Sequence, residues 1–343
     1  MKPLLFFHIL FVLLSCGQSP VREQEKNEYT TVEGETMGTY YRVSYSDTTD
    51  FKQEIEQLLQ DFNMEVSTYI PESKISAFNQ SASGMDFEEG VFTDNLRIAR
   101  EVYDQTKGLY DVTVMPLVNY WGFGYTEKKP VNKVDSAKIK ALLNTVGMDK
   151  LHIEKKGKTW KITKSTPGVQ LDFSSVAKGY GVDLVAKLLE QKGIRHYLVD
   201  IGGEMVMKGK NPKGKKWSIG INVPEVDAGV TESIVYLALG NNAIATSGNY
   251  RNFYEVNGAR YAHTINPVTG FPESSKLLSA TIIAPDCATA DAWATACMVS
   301  GLERSAEYFK NNPQLSACLI YADGEKLSIT YHNDFEKYIQ PAD

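Results

Sequence analysis

Four short stretches of this 343-residue chain carry residue types that could do chemistry. The first is LDFSSVAKGYGVD, residues 171 to 183. Its apolar spacing predicts a strand over 169–173, a turn at Ser174-Ser175 and a helix over about 176–192, which puts Lys178 in the first helical turn. That end of a helix carries open backbone N–H groups and partial positive charge, so a lysine is disfavoured there unless an anion accompanies it. A turn with free N–H groups and a nearby ammonium could hold a phosphate. A plain ion pair of Lys178 with Asp172 or Asp183, and Ser175 as an N-cap side chain, would use the same residues without any ligand.

The second stretch, ATADAWATACMVSG at 288–301, places Asp291 and Thr295 four apart and so on one helical face, among Ala, Trp, Cys, Met and Val. A buried carboxylate needs a partner, and carboxylate with hydroxyl oxygen suits Mg²⁺. Alternatively Asp291 lies in the helix's first turn, where the macrodipole favours it. In YAHTINPVTGFP, 261–272, the dipeptides Asn266-Pro267 and Thr269-Gly270 mark turns. His263 then stands at a loop rim, either as a proton carrier near neutral pH or as an ordinary loop histidine. The fourth, LYDVTVMPLVNYWGFG at 109–124, is dense in aromatic and small residues and would suit the wall of a flat-ligand pocket or a core-lining loop. No GxxxxGK[ST], GxGxxG, GxSxG or HExxH motif occurs.

Composition narrows the class. A net charge of −6 without a basic patch gives no reason to expect nucleic acid as a partner. Nineteen tyrosines and 26 glycines fit a strand-rich protein with many turns. At the N-terminus, Lys2, the apolar run Leu4 to Leu14 and then Leu-Leu-Ser-Cys resemble a signal peptide ending in a bacterial lipobox. The expected division is therefore 1–15 signal peptide, 16–30 tether lipidated at Cys16, and 31–340 functional domain, exported and anchored to a bacterial membrane on its periplasmic side. An ordinary secretory signal with an incidental cysteine is the alternative. The remaining Cys287, Cys297 and Cys318 form no CxxC pair, and Cys297 and Cys318 read as small core residues.

The elements that must position these residues follow from periodicity. A strand is expected over 36–45, a helix over 50–66, a turn region at 69–80, and a helix over 94–107 with Thr93 as its N-cap. The stretch 109–125 is too irregular for one element; a helix at 136–146 and a hairpin at 151–163 follow. Strand 169–173, helix 176–192 and strand 196–199 would make a β-α-β unit. Strands at 217–223, 232–240, 243–248 and 251–257, a strand at 277–284, helices at 289–300 and 303–311, and a hairpin at 316–331 complete an α+β class with mixed sheets. No repeat and no separating linker is visible.

Seven motifs in this order, ETMGTYYRV, YDVTVMPLVNYWGFG, VQLDFSSVAKGYGVD, VDIGGEM, SGNYRNF, HTINPVTGFP and ADAWATACMVSG, resemble the ApbE family of FAD:protein FMN transferases from about residue 32 to 302. The resemblance implies a two-lobed, T-fold-like single domain of packed helices and mixed or antiparallel sheets, with FAD between the halves and Mg²⁺ on its pyrophosphate. Carried over by position, Asp291 and Thr295 are metal ligands by side chain and Ser175 by its carbonyl. Met37, Tyr69, Leu109, Tyr110, Asp111, Asp172, Ser175, Lys178 and Ile265 match flavin-nucleotide contacts. His263 matches the catalytic histidine, with Lys178 offsetting phosphate charge. The family commonly has glycines at Ser174 and Ser175 and often Asp at Asn266. The implied activity is Mg²⁺-dependent transfer of FMN from FAD to a Thr or Ser hydroxyl of an acceptor, a membrane redox subunit, with release of AMP. A periplasmic FAD pyrophosphatase giving FMN and AMP, and a non-catalytic flavin-binding lipoprotein, are the rival readings.

Overall fold

The computed structural model describes residues 28–126, 131, 133–224, 233–249, 253–256, 259–273, 275–324 and 326–340. The expected signal peptide and Cys16 lie outside the described residues. Eight strands form one sheet whose spatial order follows the chain: β1 (Thr30–Thr36), β2 (Thr39–Tyr45), β3 (Tyr197–Ile201), β4 (Glu204–Lys208), β5 (Asn241–Gly248), β6 (Leu277–Ala284), β7 (Ser316–Asp323) and β8 (Lys326–His332). Every neighbouring pair is antiparallel. The helices and lesser strands are insertions into this meander. Between β2 and β3 come α1 (Lys52–Val66), α2 (Lys74–Gln80), α3 (Val91–Thr106), α4 (Met115–Tyr120), α5 (Ser136–Leu143) and α6 (Ala177–Gln191), with a three-stranded sheet of Gly84–Glu88, Leu151–Lys156 and Thr159–Lys164. Between β6 and β7 runs α7 (Cys287–Asn311).

Alternation along the strands explains the layering, because successive side chains leave opposite faces of a sheet. In β5, Ala243 and Ala245 face the helices while Ile244 faces the hairpin Trp217–Asn222/Ser233–Leu239 on the other side. The middle of the sheet is covered on both faces, so β6 reads as an almost uninterrupted apolar run. The α+β class expected from the sequence is what the chain forms.

Several local expectations give way. The strand foreseen at 169–173 is a single bridge between Gln170 and Val114, so α6 is not the crossover of a β-α-β unit. Leu171 and Phe173 are fully buried, and burial alone produced the strand-like apolar pattern. Residues 69–80 contain α2, whose N-cap Ser73 accepts from the Ser76 N–H. Thr93 is not the N-cap of α3: the cap is Gly90, whose N–H donates to Thr93 Oγ1 at 2.9 Å. The irregular stretch after Gly108 holds α4, started by Pro116 in its first turn. The two helices expected at 289–300 and 303–311, by contrast, are both there: α7 is broken at Gly301, whose φ of 77° and ψ of 177° are not helical.

The contact of α6 with α7 decides the site. A Cβ on Gly179 would lie 2.3 Å from the Cys287 carbonyl oxygen, so only glycine lets the first turn of α6 reach the N-terminus of α7. The Asp183 carboxylate then accepts from the Cys287 and Ala288 N–H groups, both at 2.9 Å. Asp286 accepts from the Thr289 N–H at 2.8 Å. Together they satisfy three of the open N–H groups at the start of α7. Among the described residues, no helix is long and apolar enough to cross a membrane.

Candidate functional site

A cleft of about 640 Å³ opens where seven separate stretches of chain converge, among them the α6 N-terminus, the end of β5, the 263–265 loop and one face of α7. It gathers every residue the sequence nominated except Met37. Met37 sits in the β1–β2 turn in a left-handed conformation, φ 51°, and packs against both helix-side cores, its terminal methyl close to Gly181.

On the helical wall, Asp291 and Thr295 line the cleft from α7 as their spacing predicts. Asp291 is the fifth residue of α7, not in its first turn, so the helix end does not account for it. It is 3% exposed, and its Oδ2 accepts from the Gly179 N–H at 3.0 Å. Burial raises its pKa, against the pull of Lys178 and that single hydrogen bond. Thr295 Oγ1 lies 3.2 Å from Ser247 Oγ at the end of β5. Ser175 does not cap α6, which has no side-chain cap. Its hydroxyl donates instead to Tyr110 OH at 2.9 Å.

Lys178 does stand in the first turn of α6, but neither Asp172 nor Asp183 is its partner. Asp183 is engaged with α7, and Asp172 Oδ1 accepts from the Ser174 N–H at 2.9 Å. Lys178 Nζ donates to Glu204 Oε1 at 2.6 Å, a residue the sequence reading never singled out although it lies inside the VDIGGEM motif. The signal available was a glutamate directly after two glycines and before apolar Met205-Val206-Met207. Burial opposes the Lys178 charge, yet Glu204 and Asp291 outweigh it and hold its pKa above the ordinary value. Burial pushes Glu204 up to about 7, against Lys178.

The opposite wall is quieter. Tyr110 is fully enclosed, and burial raises its phenol pKa. Asp111 is raised to about 6 by burial, against the Thr113 N–H, the Thr113 hydroxyl and the Met148 N–H that it accepts from. Tyr69 is 62% exposed at the mouth. His263 meets the Phe123 ring edge to face, centroids 6.4 Å apart, and Ile265 is buried beside it. The 109–124 stretch is thus both cleft wall and core: Leu117 and Trp121 are fully buried while Phe123 and Gly124 line the cleft.

The charge balance has a chemical meaning. Asp111, Asp172, Glu204 and Asp291 line the cleft, and among the described residues Lys178 is the only Lys or Arg that does. Such a cleft repels a bare diphosphate and accepts one accompanied by a cation. Among the described residues no three His, Cys, Asp or Glu stand together as ligands. Asp291 and Thr295 present a carboxylate and a hydroxyl to the cleft from one face of α7. These are hard oxygens, they leave room for waters and phosphate oxygens, and they fit Mg²⁺. Cys287, Cys297 and Cys318 are buried and unpaired, with thiol pKa values pushed up by burial, and take no part.

A family model described as the ApbE family matches residues 37–319. A curated relative from Vibrio cholerae, named FAD:protein FMN transferase, is 41% identical over 286 residues, 81% of this chain and 83% of that protein. A protein of the same name from Escherichia coli K12 is 34% identical over 337 residues, 95% of this chain and 94% of its own. Among solved structures, the flavin transferase ApbE from Vibrio cholerae superposes with a TM-score of 0.81 at 36% identity, over 91% of this chain and 99% of that one. The apo form of Pseudomonas stutzeri flavinyl transferase ApbE gives 0.80 at 29% identity, over 91% and 96%.

Proposed function

This chain belongs to the ApbE family, and on that premise we propose that it is a flavin transferase that moves FMN from FAD to a Thr or Ser hydroxyl of an acceptor protein, releasing AMP. The observation that carries the reading is the convergence of Lys178, the Asp291–Thr295 pair and His263 on one cleft large enough for a nucleotide. The acceptor oxygen attacks the flavin-side phosphorus, the bond from that phosphorus to the bridging oxygen breaks, and AMP leaves with the bridging oxygen. His263 takes the hydroxyl proton at the cleft rim. Lys178 presents its remaining N–H donors to the phosphate oxygens, where negative charge builds on the leaving group. Asp291 and Thr295 by side chain and Ser175 by carbonyl would hold Mg²⁺, which when bound supplies positive charge to the pyrophosphate. Tyr110, Asp111 and the aromatic wall enclose the nucleotide and exclude water, which favours a protein hydroxyl over hydrolysis. A lipid on Cys16 would keep the enzyme beside membrane redox acceptors.

The test incubates the protein with FAD and Mg²⁺, with and without an acceptor containing a target threonine, and measures AMP and protein-bound flavin. Transfer predicts AMP in step with bound flavin and little AMP without acceptor. AMP at an equal rate in both tubes would establish a pyrophosphatase instead. FAD bound with no AMP in either tube would sink both enzymatic readings.

A further inference from the structure

We propose that Glu204 is the positioning residue of Lys178, fixing the ammonium against the cleft wall and so setting where that charge meets the phosphates of the nucleotide. The inference rests on the transferase reading above. Lys178 lies in the first turn of a helix without a side-chain cap, beside N–H groups that repel an ammonium. Left alone, so long a side chain would swing outward to solvent. Glu204 opposes this from β4: the 2.6 Å bond to Lys178 Nζ draws the ammonium inward, and the glutamate side chain is 4% exposed against 32% for the lysine.

Glu204 is itself held by its backbone. Gly202 and Gly203 precede it with φ of 62° and 103°, values that residues with side chains rarely adopt. The Gly203 N–H donates to Asp200 Oδ1 at 2.8 Å, and the Gly202 N–H to the Tyr40 carbonyl at 3.1 Å. The carboxylate therefore comes off a closed turn at the head of a central strand. One of the three ammonium hydrogens is spent on Glu204, and the remaining two are left for phosphate oxygens. Stability alone is a poor account of this residue. Its Oε2 is buried without a hydrogen-bond partner among the described residues, and a half-satisfied buried carboxylate costs free energy that an apolar side chain would not.

The decisive experiment is a double-mutant cycle on the full chain, read by the kcat of flavin transfer. Lys178→Ala is expected to lower kcat about a hundredfold, as removal of one preorganised donor does. Glu204→Ala should lower it about tenfold through the displaced ammonium, with KM for FAD moving less than about threefold. In the Lys178→Ala background Glu204→Ala should add nothing, because the group it positions is gone. Glu204→Gln, with an acceptor oxygen at the same reach, should recover most of the loss; Glu204→Asp, one methylene short, should not. If Glu204→Ala fails to fold, Glu204→Asp replaces it in the cycle. Equal losses in both backgrounds, or a Gln variant as poor as the Ala variant, would overturn the proposal. A wild-type chain that neither releases AMP nor transfers flavin would overturn the transferase reading instead. The same cycle is then read by calorimetric affinity for ADP with Mg²⁺, where additive losses from the two positions again refute positioning.

Discussion

The two walls of the cleft are built by different means. On the α6–α7–β4 side, buried charges interlock across the chain: Lys178 with Glu204, Asp291 with the Gly179 N–H, Asp183 with the start of α7. The His263 side is organised by a neutral turn. Asn266 Oδ1 accepts from the Val268 and Thr269 N–H groups, the Asn266 N–H donates to the Phe271 carbonyl, and Trp121 Nε1 donates to the Gly270 carbonyl at 2.8 Å. The first wall holds charge at the expense of desolvation, and its buried carboxylates have raised pKa values. Apart from the buried carboxylate of Asp111, raised to about 6 by burial, the second wall fixes geometry with ordinary hydrogen bonds. Substitutions on the first should therefore act on chemistry and pH dependence, and those on the second on the placement of the histidine and the acceptor.

The largest expected effect is at Asp291. Asp291→Ala should reduce Mg²⁺-dependent turnover by at least about a hundredfold while shifting the midpoint of thermal unfolding in metal-free buffer only slightly, because the desolvation cost that is removed offsets the Gly179 N–H left without its acceptor. Unchanged turnover would remove Asp291 from the metal site. Next comes Asp183→Ala, which strips two N–H groups at the head of α7 and should cost about 2 kcal/mol by denaturant titration.

Asp183 also carries a pH signature. Burial lifts its folded pKa to about 7 from an ordinary 3.8, against the Cys287 and Ala288 N–H groups. The folded state then binds more protons than the unfolded one across this window. The contribution of the group to stability is full below about pH 4 and is lost as pH rises towards 7. In Asp183→Asn that slope should vanish; a stability profile from pH 4 to 7 parallel to wild type would contradict the assignment.

On the second wall the effects shrink. Trp121→Phe removes the bond to the Gly270 carbonyl and should cost about 1 kcal/mol. It should raise KM for the acceptor more than KM for FAD; the reverse order would mean that the loop serves the nucleotide. The smallest effect is at Asn266, where the amide donates to Glu273 Oε2 at 3.0 Å. Asn266→Asp keeps the turn but sets two carboxylates together, and should cost about 0.5–1 kcal/mol at pH 7, relieved by acidification below pH 4. A variant as stable as wild type at both pH values would show that this pair matters little.

Much was legible in the sequence because it is local. Helical period places α1, α6 and α7 within a few residues, the hairpin expected at 151–163 forms over 151–164, and four-residue spacing puts Asp291 and Thr295 on one face. Apolar runs misled where burial mimics a strand, as at 169–173, and turn chemistry hid α2 and the true cap of α3. The pairing partners were beyond reach of any local rule. Lys178 and Glu204 are 26 residues apart and Gly179 and Asp291 are 112 apart, and nothing local encodes that they touch.

By itself the sequence determined which groups exist and which of them share an element: a lysine at a helix head, a carboxylate and hydroxyl on a helical face, a histidine at a turn. Tertiary structure alone decided which charges meet. The backbone of α6 could approach α7 only at a glycine, the β3–β4 turn delivered Glu204 to Lys178, and burial of the Glu204 side chain strengthens its hold on the ammonium.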